Sequence, residues 1–122
     1  MLTLPKPKLT AVEVPEWAEA GHPTVYVRTM GGADRMTYEL ENHRLVGDET
    51  DAQRRGELLM SSNLQGRLLV RVLCDEAGKP LFTPGQAGEV GGQDYTVVER
   101  LYNVAAPLNG LGADAAAAAE KK

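Results

Sequence analysis

The stretch Leu58-Leu59-Met60-Ser61-Ser62-Asn63-Leu64-Gln65-Gly66-Arg67-Leu68-Leu69-Val70-Arg71-Val72-Leu73-Cys74 admits two readings, and the choice between them sets the fold class. Met60, Leu64, Leu68 and Val72 recur every four residues, joined by Leu69 and Leu73, which is the stripe of an amphipathic helix. Leu68, Val70, Val72 and Cys74 also alternate. Read that way, Asp75-Glu76-Ala77-Gly78 would turn a β-hairpin into Pro80-Leu81-Phe82. The helical reading is favoured because the stripe begins before residue 68. Ser62 with Gln65 forms a possible capping box, unless Asn63 simply sits within the helix. Gly66 costs about 1 kcal/mol relative to Ala inside a helix.

Working outward, Ala11-Val12-Glu13-Val14 alternates and is stopped by Pro15, and Thr24-Val25-Tyr26-Val27-Arg28-Thr29-Met30 is the clearest strand. Together they predict a short antiparallel pair. Residues 33–42 read as a helix with Met36 and Leu40 on its apolar side. Residues 46–53 suit a polar loop. Residues 83–94 hold four glycines and read as a mobile connector. Asp94 can cap a last helix with the stripe Val97, Val98, Leu101, Ala105 and Leu108, ended by Asn109-Gly110. Pro107 should kink or fray its end. The fold class expected is mainly α (α+β): an N-terminal antiparallel β pair, then a small helical bundle and a flexible C-terminal tail. The divisions expected are an extended arm over 1–10, one domain over 11–112, and an Ala-rich tail over 113–122.

The chain has 122 residues and a net charge of −4, which suits one domain. An acidic balance with few clustered Lys or Arg argues against nucleic acid. No apolar run approaches the ~20 residues of a membrane span, and no signal peptide is visible. The single cysteine, Cys74, excludes an internal disulfide.

The residues offer little chemistry. His22, His43 and Cys74 lack ligand spacing, so no metal or cofactor is expected. Cys74 precedes Asp75 and Glu76, which disfavour a thiolate. The glycine pairs match no phosphate-binding fingerprint, and no catalytic residue is assigned. Trp17, the one tryptophan, suits either a lid on the core or an interface anchor.

The run Val12-Glu13-Val14-Pro15-Glu16-Trp17, then Val25-Tyr26-Val27-Arg28-Thr29-Met30, then Ala33-Asp34-Arg35, resembles the start of tail assembly chaperones from long-tailed (siphovirus-type) bacteriophages. Residues 73–83 resemble their second half, as does the run Arg100-Leu101-Tyr102-Asn103-Val104-Ala105 leading into Leu108-Asn109-Gly110-Leu111. The spacer 83–93 is more glycine-rich than the acidic helical segment such proteins often carry there. The resemblance implies a non-enzymatic chaperone that coats the tape measure protein, keeps it soluble, and yields to the tail tube protein. It also implies self-association, action in the host cytoplasm and absence from the mature virion. A frameshifted longer product is implied too, with Lys121 and Lys122 as the possible frameshift point. Candidate partner-binding residues are Trp17, Leu101, Tyr102, Leu108 and Leu111. A structural virion protein, such as a tail-completion or head-tail connector subunit, is the alternative.

Overall fold

In the computed structural model, which describes residues 2–111, both readings of the deciding stretch hold in part. The helix is broken once, and its end turns into a strand. Helices Ala52–Ser61 (α2) and Leu64–Val72 (α3) are separated by Ser62 and Asn63. The Ser61 and Ser62 hydroxyls both donate to the Leu58 carbonyl. Asn63 takes a left-handed conformation (φ 58°), which Asn tolerates better than most residues. Its side-chain oxygen accepts from the Gly66 N–H at 3.2 Å and so starts a new helix. The cap is therefore Asn63, not Ser62.

Strands Leu9–Glu13 (β1) and Thr24–Arg28 (β2) pair antiparallel, Leu9 opposite Arg28 and Glu13 opposite Thr24. A third strand, Leu73–Cys74 (β3), continues directly from α3 and pairs with Val27 and Tyr26. Cys74 then bridges to Pro80, so the hairpin of the strand reading exists in miniature. Its turn is built by Asp75, whose carboxylate accepts from the Ala77 and Lys79 N–H groups, both at 2.9 Å.

Helix Gly32–Val46 (α1) follows β2 and runs four residues beyond the expected 42. The glycine-rich spacer is not a loose connector. It forms a 3-10 turn, Pro84–Gln86, and helix Ala87–Gly91 (α4), which packs along α3 and buries Val90. The last helix, Tyr95–Leu108 (α5), is capped as predicted: the Asp94 carboxylate accepts from the Thr96 N–H at 2.8 Å. It runs through Pro107 without fraying. The proline deprives only the carbonyl of Asn103, an exposed residue, of its partner. Asn109 closes the end as its C-cap, its side-chain amide donating to the Ala105 carbonyl at 2.9 Å.

The core lies where the inner face of the sheet (Val12, Val25, Val27) meets α3 (Leu68, Leu69, Val72) and α5 (Val97, Leu101, Ala105). The architecture is thus mainly helical with an N-terminal antiparallel sheet, of three strands rather than two. The calls on residues 113–122, including Lys121 and Lys122, lie outside the described residues.

Candidate functional site

Helix α1 is oriented against expectation. Met36 and Leu40 stand out from the surface, 74% and 48% exposed, while Tyr38 on the opposite side is only 2% exposed. The cause is what α3 presents. Its Arg67 and Arg71 guanidiniums each lie 5.7 Å from the Tyr38 ring centroid, stacking as cations on an aromatic face. Arg71 is buried and donates to the Glu41 carboxylate at 2.6 Å, and Arg67 donates to Asn42 at 2.6 Å. Arg71, buried, and Arg67, largely covered, require such partners. Tyr38, Glu41 and Asn42 therefore face inward, and the apolar stripe faces out. Burial pushes the Tyr38 hydroxyl pKa up, against the pull of Asn42 and the two guanidiniums. Met36, Thr37, Glu39, Leu40 and His43 line a shallow surface groove.

A second surface feature lies at the far end of β1. Trp17, on the 3-10 turn Pro15–Ala20, meets Phe82 edge to face with ring centroids 6.2 Å apart. With Ala20, His22, Val90, Glu89 and Gln93 they line a half-enclosed, mainly apolar cavity of about 240 Å³. The turn is pinned from α5: Arg100 grips the Glu16 carboxylate with two hydrogen bonds of 2.9 and 2.8 Å. Those bonds lower the Glu16 pKa from 4.5 to about 2 and raise that of Arg100.

Helix α4, which lends Glu89 and Val90 to this pocket, approaches α3 closely. The Asn63 amide donates to the Ala87 carbonyl at 2.8 Å. A Cβ on Gly66 would meet that carbonyl at 2.5 Å, and one on Gly91 would overlap the Asn63 side chain. Two glycines are what allow the crossing.

The reactive side chains are held in structural roles. Cys74 is fully buried, and its thiol donates to the Tyr26 carbonyl at 3.4 Å. Burial pushes its pKa up and Asp75 adds to the rise, while Arg28 pulls the other way. Among the described residues, no three His, Cys, Asp or Glu side chains are grouped to hold a metal ion. No described helix is long and apolar enough to cross a membrane.

The candidate partner-binding residues do not form one patch. Trp17 lies at the N-terminal end of α5, with Glu16, Arg100 and Phe82. Leu108 and Leu111 are half-buried at the other end, where Asn109 accepts from the Met30 N–H at 2.7 Å. A helix of this length separates them by about 20 Å. Tyr102 is half-buried between them, its hydroxyl pKa raised by burial. Leu101 is fully buried and supports the core. Sequence reasoning missed Met36 and Leu40 as surface residues. Their neighbours at inward positions, Glu41 and Asn42, carried the only hint.

The fold defines a small α+β protein with two apolar surface features, the Met36–Leu40 groove and the Trp17–Phe82 pocket. The model of the phage tail assembly chaperone family matches residues 7–122, and the chain belongs to that family. Its role is that of a chaperone in phage tail assembly, with tail proteins as partners. Among solved structures it is similar to the tail assembly chaperone of bacteriophage HK97, with a TM-score of 0.56 and 21% identity over 84% of this chain and 85% of that one. At that identity the likeness concerns the fold. No curated protein matches the chain.

Proposed function

We propose that this chain coats the tape measure protein in the host cytoplasm, keeps its helices soluble, and helps recruit tail tube subunits as they displace it. Family membership supports the class of role. The observation that carries the finer reading is the outward stripe of Met36 and Leu40 on α1. A methionine and a leucine adapt to varied apolar partners at little strain. Weak contacts of this kind hold a long client only when repeated, so the chaperone self-associates along it. Residues 11–112 act as the client-binding domain. Trp17, Tyr102, Leu108 and Leu111 supply further partner contacts, with Leu101 shaping the surface from beneath. A frameshifted product extended beyond Lys121 and Lys122 brings the tube subunit, and the chaperone is left out of the finished virion.

The test is co-expression with a helical fragment of the tape measure protein. The fragment should stay soluble and co-purify with the chaperone. The Met36→Ser, Leu40→Ser double variant should fold normally and lose the fragment to the pellet. A fragment that precipitates equally with the folded wild-type chain would refute the reading.

A further inference from the structure

We propose that the N-terminal arm of one copy docks into the Trp17–Phe82 pocket of a second copy, linking chaperones in a row. The inference rests on the self-association proposed above and names its contact. The arm, Leu2-Thr3-Leu4-Pro5-Lys6-Pro7-Lys8, carries two of the most exposed large apolar side chains in the described structure, Leu2 at 82% and Leu4 at 75%. Two prolines hold it extended and deprive it of N–H groups, so it does not add readily to its own sheet. The pocket offers the matching features: an apolar interior formed by Trp17, Phe82 and Val90, with Glu89 on its lining. Glu19 stands on the same 3-10 turn as Trp17. The ion pairs among the described residues involve neither of these glutamates, nor Lys6 or Lys8. Leucines next to lysines thus match an apolar cleft next to carboxylates.

Geometry selects a second copy over the chain's own arm. The arm leaves β1 at Leu9, whereas the pocket lies beyond its other end, past the hydrogen bond from the Val14 N–H to the Pro23 carbonyl. That separation is about 17 Å along the strand. Leu4 is five residues before Leu9, a reach of about 15 Å in the extended form, and Leu2 is seven before it, a reach of about 22 Å. A reversal would use up two or more residues of that reach, and prolines at 5 and 7 oppose it. Donor and acceptor surfaces differ, so the contact is heterologous and can repeat from copy to copy.

Trp17 is the only tryptophan and sits in the pocket, so its emission reports occupancy directly. The experiment follows emission and sedimentation of the full chain together as concentration rises. The expected result is a blue shift that tracks assembly. Leu2→Ser with Leu4→Ser should weaken assembly roughly tenfold to a hundredfold, as loss of a buried leucine implies, and abolish the shift. Glu89→Lys should weaken it too, with recovery when combined with Lys6→Glu and Lys8→Glu. Assembly that persists unchanged in the arm variant overturns the arm contact and leaves self-association standing. A chain that stays monomeric at all concentrations overturns both. An emission change in the arm variant that is independent of concentration overturns the second-copy assignment in favour of the chain's own arm.

Discussion

Replacing Gly66 by Ala should destabilise the protein, although general helix propensity argues the opposite. Inside a helix Ala is favoured over Gly by about 1 kcal/mol. At Gly66 the new Cβ would lie 2.5 Å from the Ala87 carbonyl oxygen and 2.6 Å from the Asn63 side chain. The carbonyl belongs to the backbone of α4 and cannot rotate away. Overpacking of this kind costs about 1–3 kcal/mol. Pushing α4 outward also breaks the hydrogen bond from Asn63 to Ala87, worth about 1 kcal/mol. The net expectation is a loss of about 1–3 kcal/mol, or roughly 1 M in urea midpoint. Urea unfolding followed by far-UV circular dichroism measures it. Gly56→Ala is the control: Gly56 lies within α2, and nothing stands within 4 Å of its Cβ position. It should raise stability by up to about 1 kcal/mol. If Gly66→Ala stabilises as Gly56→Ala does, the close approach of α3 and α4 is wrong.

The three atoms nearest a Cβ at Gly91 all belong to the Asn63 side chain, so Gly91→Ala should be costly in the wild type and clearly less so in Asn63→Ala. A double-mutant cycle with no coupling would contradict that. The Glu16 carboxyl has a lowered pKa in the folded state, so its pairing with Arg100 stabilises above the ordinary carboxylate pKa. That contribution is lost as pH falls from about 4.5 towards 2. Urea midpoints measured across that window should fall more steeply for the wild type than for Glu16→Gln. Cys74, buried with a raised pKa, should react with a thiol reagent only as the chain opens. Its rate in native buffer should fall well below that of the unfolded chain. Leu101→Ala, at a fully buried site, should cost about 2–5 kcal/mol, while Met36→Ser stays within about 0.5 kcal/mol of wild type.

What was legible in the sequence was period; what was not was direction and distance. Val25 and Val27 alternate with Tyr26, and the structure buries both valines. Asp94 and the stripe from Val97 to Ala105 announced α5, because cap and period are both local. The break at Ser62-Asn63 was visible as residues that compete with helix hydrogen bonds, yet the longer apolar period outweighed it. The spacer misled for another reason. A glycine reads locally as freedom, but Gly91 serves a close approach to Asn63, and no local pattern encodes that pairing. The same holds for Phe82, which the chain reversal after β3 brings against Trp17, 65 positions away in the sequence.

The orientation of α1 was illegible because it is decided by a different helix. A helix with Met36 and Leu40 on one side would ordinarily turn that side inward. Here the inward side carries Tyr38, Glu41 and Asn42 against Arg67 and Arg71. Ion pairs that bury an arginine, as Arg71 is buried against a partly exposed Glu41, contribute little net stability compared with apolar residues of similar size. An arrangement selected for stability alone would bury the methionine and the leucine and leave the arginines in water. The cluster instead fixes α1 with its apolar stripe towards solvent. In a chaperone of phage tail assembly, that is the face a partner protein can reach. On this argument, removing Glu41 should do more than destabilise. It loosens α1 while the Arg67–Asn42 bond remains, so amide hydrogen exchange across Gly32–Val46 should quicken more than in the rest of the fold.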